Sequence, residues 1–398
     1  MYVKNIFFLF VFSTILFSKS HLISPITVPK STILNLSSEN CNEICLKKHL
    51  NSGEIFSFLA RYNEKNKNVS LHQELLIYKS LFNIEQERNT NLSIALLIPD
   101  KLIGRYATQI SDTVFAYLLA KNRHFELQNF YIEDESKESL KEALESIQIK
   151  GFKYVIAPLT NDGVQRTLDL RSSLLIYFPT INIKNIKNIN PDSNWFGGID
   201  YDAQIDKLIK KVRTKVSIFY DDGALGKTLN EKVEKKLEKE NIVLKQSISN
   251  HTSNLKNVLR RNRKLINTTA ILNTPIIKSG LVMSQLTLYD IESDRILSTQ
   301  INYDPLLLSI TQYNDRKNML IANSIQNNND YISEINYLLN NNIEYDWINF
   351  SSTLGIDYFY NRITGEHREF ANINMKKNQM DYPIELKRAT YSRFVDTK

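Results

Sequence analysis

The sequence predicts an α/β protein of two doubly wound, parallel-sheet lobes that follow a small helical segment. Short apolar runs typical of strands alternate with helix-length amphipathic stretches from residue 92, and this alternation begins again after residue 200. In addition, 42% of the 398 residues are hydrophobic, which is enough apolar material for more than one buried core. We therefore expect one lobe over 92–200 and a second over 201–295.

Residues 1–20 have the pattern of a secretory signal peptide. Lys4 precedes the apolar run from Ile6 to Phe17, and Ser18 and Ser20 supply the small residues found before a cleavage site. The apolar run is too short to span a bilayer, although an uncleaved signal anchor is the alternative. We expect a protein exported to the periplasm, with no transmembrane span after cleavage.

The next segments predict a polar tail over 21–40 and a helical module over 41–88. In the module, apolar residues recur at spacings of three and four on either side of a polar loop. Cys41 and Cys45, the only cysteines, lie one helical turn apart and can pair in an oxidising compartment. We expect a structural disulfide, with two free thiols as the alternative, because a redox pair is usually spaced C-x-x-C.

The first lobe begins with an apolar run that has the composition of a strand buried on both faces. Helices of crossover length separate the successive strands, as a parallel sheet requires. The predicted strands are 92–98, 125–132, 154–157 and 174–178, and the predicted helices are 103–121, 135–147 and 161–170.

The second lobe repeats the alternation and leads into a mixed final segment. Its predicted helices are 201–212, 225–240, 254–264 and 276–288, and its strands are 216–220, 242–247, 270–272 and 296–301. A strand at 319–322, helices at 331–339 and 345–362, and one hairpin of 370–375 with 384–391 follow. We expect residues 296–325 to complete the first lobe and 328–395 the second, with chain crossings near 197–204, 322–330 and 364–372.

Four segments resemble the type I periplasmic-binding fold, the superfamily of the leucine-binding proteins. They are Leu92–Gln109, with a strand, a Pro-containing loop and a helix; Tyr154–Asn161, a strand ending at Pro; Val216–Gly226, a strand with an acidic turn and Gly; and Thr353–Asn361. The last segment, TLGIDYFYN, is similar to a late helix in the branch that contains the penicillin-binding-protein activators. The resemblance implies two lobes around a shared cleft.

The resemblance also places candidate ligand residues at the carboxyl ends of the strands, where helix N-termini face the cleft. The candidates are Thr160 and Asn161 first, then Asp221 and Asp222, and finally Thr274 and Ser279. The alternative is that these residues only cap helices, because Thr, Asn, Ser and Asp are common N-cap residues. The first loop carries Leu102 and Ile103 where amino-acid-binding members often have Ser or Thr beside Gly, which argues against an amino-acid ligand.

The sequence contains no convincing catalytic or metal-binding pattern. Gly226-Lys227-Thr228 resembles the end of a phosphate loop, but Asp221 stands where that motif requires Gly. The six His residues are dispersed without ligand spacing. We expect no enzymatic activity, no cofactor and no metal.

The charges are too evenly mixed to indicate a nucleic-acid partner. Cleavage of the signal removes two lysines and no acid, which lowers the formal net charge from +7 to +5. Acids and bases alternate in the run 231–240, as on a solvated helix face. The densest basic cluster, Arg260, Arg261, Arg263 and Lys264, can contact an anionic surface, but we interpret it as an exposed helix end.

The sequence therefore favours a non-enzymatic protein of the cell envelope that uses a bilobal fold as an interaction scaffold or as a regulator of an envelope complex. The alternative is a solute-binding or ligand-sensing protein that closes its cleft on a small molecule. In the first case the partner is an envelope protein, and we expect the helices at 41–84 and 345–362 and the final hairpin to provide its surface.

Overall fold

The computed structural model divides the chain into two compact units, one ending at Asn89 and one beginning at Thr90. It describes residues 33, 41–63, 68–82, 92–104, 106–187, 189–252, 254–326 and 329–397. The predicted signal peptide lies outside the described residues, as does all but one residue of the predicted polar tail.

The first unit is a small helical module with its own core. Its helices are α1 (Glu43–Asn51), α2 (Ile55–Arg61) and α3 (Val69–Leu81). Leu46, Phe58, Leu71 and Leu75 are buried together between them. Cys41 and Cys45 are joined in a disulfide, with their Cα atoms 5.3 Å apart. The small core holds the three helices against one another, whereas the disulfide closes only the first turn of α1.

The second unit contains two seven-stranded sheets, which confirms the predicted α/β class with two lobes. In spatial order, the first sheet is β11 (Asn374–Lys376), β12 (Gln379–Asp381), β5 (Asn194–Phe196), β4 (Leu175–Phe178), β3 (Tyr154–Ile156), β1 (Ser93–Pro99) and β2 (Glu126–Ile132). The second is β14 (Phe394–Asp396), β13 (Glu385–Ala389), β10 (Met319–Asn323), β9 (Arg295–Ser298), β8 (Thr269–Asn273), β6 (Val216–Asp221) and β7 (Ile242–Ile248). Strands β1–β5 and β6–β10 are parallel within their sheets.

Helices cover both sheets. In chain order they are α4 (Asp100–Ile103), α5 (Tyr106–Ala120), α6 (Lys137–Ile149), α7 (Asn161–Asp169), α8 (Tyr201–Ile209), α9 (Ala224–Glu234), α10 (Lys256–Leu259), α11 (Ile276–Leu288), α12 (Pro305–Ile310), α13 (Tyr313–Arg316), α14 (Asp330–Leu338) and α15 (Trp347–Thr364). No helix in the described part of the chain is long and apolar enough to cross a membrane.

The central strand β1 shows why its sequence is almost continuously apolar. Ile94 and Leu96 face a core shared with α5 and α15, whereas Ala95 and Leu97 face a second core shared with α6 and α7. Both faces of the strand are therefore removed from water. Alternating polar residues at these positions would leave unpaired polar groups in one core or the other.

The segments that complete each lobe are the reverse of our prediction. β9 and β10 extend the second sheet, because each new strand pairs in parallel with the one before it: Ala270 lies opposite Ile296, and Leu297 lies opposite Leu320. The chain then returns to the first lobe, where α14, α15 and the hairpin β11–β12 complete that sheet. It crosses between lobes after β5, after β10 and at 382–384, so the third crossing is not at 364–372.

The predicted single closing hairpin is two hairpins, one in each sheet. β11 and β12 turn at Lys377 and Asn378, which both adopt positive φ, 46° and 66°, as a two-residue hairpin turn requires. β13 and β14 form the other hairpin. The predicted helix at 254–264 is also shorter: it ends at Leu259, because Arg260 has an extended ψ of 124° and Arg261 a left-handed φ of 60°.

Helix α15 is buried from Asn349 to Tyr360, apart from the half-buried Tyr358, which contradicts the expectation that it provides surface. Buried Asp357 accepts bonds from Tyr117 Oη at 2.9 Å, the Glu369 amide at 2.7 Å and Arg368 Nε at 2.8 Å. Burial, and then the Asp357 charge, raises the pKa of Tyr117 far above its ordinary value, so its hydroxyl stays a donor. These bonds fix α15 to α5 and to the segment that follows it.

Gly355 permits the close approach of α15 to the first sheet, which yields a testable prediction. A Cβ at Gly355 would lie 2.3 Å from Cδ1 of the Tyr177 ring. We expect Gly355→Ala to lower the free energy of unfolding in urea by about 1–3 kcal/mol, because overpacking outweighs the gain in helix propensity. The control is Gly280→Ala in α11, where the atom nearest to the added Cβ is Cδ1, the flexible end of Ile310, at 3.2 Å. Equal stability of the two variants would contradict this account of the packing.

Candidate functional site

The sheet orders place one topological switch point in each lobe. β1 lies between β2 and β3, and β6 lies between β7 and β8, so a crevice opens beyond the carboxyl ends of β1 and β3 and another beyond β6 and β8. The predicted ligand residues lie at these two crevices. Thr160 and Asn161 follow β3, Asp221 ends β6 and Asp222 follows it, and Thr274 and Ser279 follow β8.

The crevice of the first lobe holds a carboxylate from the chain itself. Buried Glu135 accepts the backbone N–H of Thr160 at 2.8 Å through Oε1 and the Thr160 hydroxyl through Oε2. The Thr160 hydroxyl also accepts the amide N–H of Gly163 at 3.2 Å, as an N-cap does. The first polar groups of α7 are thus satisfied internally, while Asn161 is exposed beside them.

Gly163 is the residue that admits this carboxylate. A Cβ there would lie 2.2 Å from Glu135 Oε2, so only glycine leaves room for the carboxylate beside the first turn of α7. Arg166 Nη1 donates to the Glu135 carbonyl at 2.7 Å and fixes the loop that carries it. Because the N-terminus of a helix attracts anions, Glu135 occupies the position that an anionic ligand group would take.

The crevice of the second lobe is bridged by an ion pair. Lys278 Nζ, from the first turn of α11, contacts Asp221 Oδ1, lies 3.5 Å from Asp222 Oδ1, and donates to the Ile248 carbonyl at 3.0 Å. Burial lowers the pKa of Lys278, but its bond to Asp221 and the nearby negative charge outweigh burial and raise it. Asp221 Oδ2 also accepts the Gly223 N–H at 2.8 Å. One lysine therefore ties together the ends of β6 and β7 and the start of α11.

Thr274 and Ser279 form a buried pair with each other. Ser279 Oγ donates to the Thr274 carbonyl at 2.9 Å, which leaves the Thr274 hydroxyl to donate to Ser279 Oγ at 2.7 Å. Asn302 Nδ2 donates to the same carbonyl at 3.0 Å. Both side chains are fully buried. The six candidates therefore fall into three separate groups, each bonded within its own lobe, and their contact with a ligand stays a prediction.

A cavity of about 500 Å³ lies elsewhere between the lobes, and sequence analysis missed it. It is found near the second and third crossings, at the carboxyl end of the second sheet, where Glu385 of β13 lies opposite Asn323 of β10. None of the six candidates is among its lining residues, which are Tyr303, Ile325, Gln326, Glu344, Tyr345, Asn372, Glu385, Lys387 and Asp396. The available signal was the i, i+2 spacing of Glu385 and Lys387, which puts both on one face of a strand.

The cavity combines negative charge with aromatic rings. Lys387 Nζ lies 2.7 Å from Glu385 Oε2 and also contacts Asp396, and these two bonds raise the pKa of the lysine against the opposing effect of burial. Glu344 adds a third carboxylate. The rings of Tyr303 and Tyr345 lie 5.1 Å apart on the same wall. Three carboxylates against one ammonium make this cavity suited to a cation rather than an anion.

The crossing segments beside the cavity are tied by buried amides. Gln204 Nε2 donates to Gln300 Oε1 at 3.0 Å and to Ser324 Oγ at 2.9 Å, and its Oε1 accepts the Gln300 N–H at 3.1 Å. Tyr382 Oη donates to the Gly197 carbonyl at 2.6 Å, which links the third crossing to the first. The Gln204 bonds therefore hold the start of α8 to the segments that follow β9 and β10, and the Tyr382 bond joins two crossing segments.

The helical module contains a group with metal-ligand chemistry, namely Cys41, Cys45 and His49. Metal binding requires thiolates, whereas both sulfur atoms belong to the disulfide. His49 Nδ1 lies 2.6 Å from Glu54 Oε2, and its Nε2 lies 3.2 Å from Arg61 Nη1. As it stands, this group is a structural link and does not present a metal site.

No protein-family model and no curated protein matches the sequence, but solved structures share the fold. A branched-chain amino acid ABC transporter periplasmic ligand-binding protein from Burkholderia xenovorans matches with a TM-score of 0.58 and 11% identity, over 77% of this chain and 95% of that one. LivJ from Streptococcus pneumoniae, in complex with isoleucine, matches with a TM-score of 0.54 and 9% identity, over 77% of this chain and 100% of LivJ. LpoA from Haemophilus influenzae, a penicillin-binding-protein activator, matches with a TM-score of 0.51 and 12% identity, over 83% of this chain and 66% of LpoA. The chain has the type I periplasmic-binding fold, and both branches that it resembles are represented.

The contacts of Glu135 at the first switch point lead to a prediction about stability. We expect Glu135→Ala to lower the free energy of unfolding by about 2 kcal/mol, because it removes two charge-assisted bonds and leaves the Thr160 N–H unpaired. Urea titration of the purified protein measures this change. The control is Glu142→Ala, an exposed acid on the neighbouring α6, which should change stability by less than about 0.5 kcal/mol. If both variants are equally stable, Glu135 does not hold the start of α7.

Proposed function

We propose that this protein is a non-enzymatic, exported protein of the cell envelope that uses its bilobal fold as an interaction scaffold or as a regulator of an envelope complex. The observation that supports this proposal is the occupation of both switch points by the chain's own side chains. Glu135 lies at the start of α7, and the Asp221–Lys278 pair spans the second crevice. The solved structures that share the fold are binding or activator proteins.

The internal contacts argue specifically against a zwitterionic amino acid at the switch points. A ligand carboxylate approaching the start of α7 would meet the negative charge of Glu135. A ligand ammonium approaching Asp221 would have to displace Lys278, which is only 15% exposed and already carries that charge. Each displacement leaves a buried group without its partner, and the ligand would have to compensate for that loss.

The helical module supplies a surface for a protein partner. Five of its large apolar side chains are between 57% and 79% exposed: Ile44, Phe56, Val69, Ile77 and Leu81. Aromatic and aliphatic side chains of this kind form the centres of protein interfaces. The match to LpoA covers 83% of the chain, whereas the unit from Thr90 onward is 78% of it, so this similarity extends beyond the α/β unit.

The interaction proposal predicts a specific contact from the module in the native envelope. A photo-crosslinking residue at Ile77 should give one discrete protein adduct, and the same residue at the exposed Glu142 should give none. Ile77→Asp should abolish an adduct formed from Phe56 without changing the melting temperature of the purified protein. Adducts of equal yield from Ile77 and Glu142, or no adduct from either module position, would contradict the proposal.

A solute-binding function is the second candidate, and the acidic cavity favours it. A cation held between Glu344, Glu385 and the two tyrosine rings would contact both lobes at the crossings, where closure is controlled. The class of ligand is then an amine or quaternary ammonium compound, not an amino-acid carboxylate.

A thermal-shift screen separates the two functions. Binding at a ligand concentration of 100 times Kd adds about 2.7 kcal/mol, which raises the melting temperature of a unit this size by several degrees. We expect no shift with amino acids, peptides, sugars or wall fragments. A reproducible shift removed by Thr160→Ala or Asn161→Ala would establish a ligand at the switch points and overturn the scaffold proposal. A shift with cationic compounds that Glu344→Gln removes and Asn161→Ala leaves intact would establish the cavity instead.

A further inference from the structure

The amino-terminal ends of two central strands of the second sheet carry a concentration of positive charge. One basic stretch, 210–215, precedes β6, and another, 256–264, precedes β8. We refer to their nine basic residues as the basic face: Lys210, Lys211, Arg213, Lys215, Lys256, Arg260, Arg261, Arg263 and Lys264. The sequence alone indicates only the cluster 260–264, which we interpret above as an exposed helix end.

The fold brings the two stretches together at one end of the sheet. β6 and β8 are parallel neighbours, with Val216 opposite Thr269. The Thr269 N–H donates to the Lys215 carbonyl at 2.8 Å, and the Thr214 and Thr269 hydroxyls lie 3.2 Å apart. Residues separated by more than forty positions in sequence therefore present their charges from adjoining loops.

Within the described part of the chain, these charges are not held in ion pairs. Residues 241–289 contain no Asp or Glu. Among the described residues, none of the nine basic side chains forms an ion pair, and all except the half-buried Lys211 are exposed. By contrast, Lys232 and Lys236 of α9 pair with Asp202 and Asp206 at 2.6 and 2.5 Å.

Acids also lie at this end of the sheet: Glu238 and Glu240 precede β7, whose Ile242 lies opposite Val216, and Asp290, Glu292 and Asp294 precede β9. The backbones of Glu292 and Asp294 bond to residues 267 and 268. Their carboxylates pair with Lys317 at 3.1 Å and with Arg295 at 4.0 Å, outside the basic face. The nine bases outnumber these five acids, so the basic face keeps a net positive charge, whose potential extends about 8–10 Å into a solution of physiological salt.

We propose that the basic face binds the anionic phosphate headgroups of a lipid bilayer surface. The side chains stand exposed on two loops, an arrangement that suits an extended sheet of phosphates better than one enclosed anion. Ile266 is 45% exposed within the same face and can enter the boundary between headgroups and acyl chains. The face lies at the amino-terminal end of the second sheet, opposite Asp221 and the cavity, so bilayer contact leaves the cleft side accessible.

Vesicle co-sedimentation of the purified protein tests this proposal. We expect binding to vesicles that contain phosphatidylglycerol, little binding to phosphatidylcholine alone, and release at high salt. The test variant combines Arg260→Gln, Arg261→Asn, Arg263→Gln and Lys264→Gln and should bind about tenfold more weakly or worse. A matched control removes four exposed lysines of the first lobe: Lys137→Gln, Lys141→Gln, Lys150→Gln and Lys153→Gln.

Several outcomes overturn the proposal. Equal binding to neutral and anionic vesicles, or equal weakening by the two four-residue variants, shows that the basic face is not responsible. Displacement by inorganic phosphate at matched phosphorus concentration indicates a discrete anion site, and tighter binding to duplex DNA indicates a nucleic-acid partner. Should the first variant fail to fold, Lys210→Gln, Lys211→Gln, Arg213→Gln and Lys215→Gln together must produce the same loss.

Discussion

The buried contact of Asp357 with Tyr117 and with the segment after α15 organises the bilobal unit. A carboxylate this deep is tolerated only because a hydroxyl, an amide and a guanidinium all donate to it. The contact holds α15 across α5 in the first lobe, although the chain has by then completed the parallel part of the second sheet. The chain must therefore return, finish the first sheet with β11 and β12, and cross once more to form β13. The second and third crossings, and the cavity beside them, follow from this return.

The same principle, an internal partner for each charge near the cleft, governs the switch points. Glu135 satisfies the start of α7, and Lys278 satisfies Asp221. In an open binding site of this fold, such positions supply binding energy to a ligand because they lack internal partners. Here that energy already contributes to stability within each lobe. A ligand would gain only the difference between its own contacts and those it replaces, which is why the fold by itself does not specify solute binding.

The sequence predicted most of this fold because buried parallel strands leave a strong local signal. The apolar runs of β1, β4 and β6 are evident without any structure. β5 was missed because only Trp195 and Phe196 mark it as apolar. The assignment of late strands to sheets was wrong because it depends on pairing over long range: β12 joins the first sheet through one partner, Gln379 with Phe196. The role of Glu135 could not be predicted from the sequence either, because it depends on the absence of a side chain at Gly163, twenty-eight positions later.

The two ends of the second sheet differ in how their charged side chains are paired. At the carboxyl ends of its strands, Lys278 neutralises the acidic turn, and the hydroxyls of Thr274 and Ser279 are bonded to each other. At the amino ends, the nine residues of the basic face form no ion pair among the described residues. Internal pairing of polar groups contributes to folding, whereas charge left in solvent costs little and contributes to association. The second lobe therefore neutralises the end that faces its cleft and leaves the opposite end positive, and the proposed bilayer contact depends on this difference.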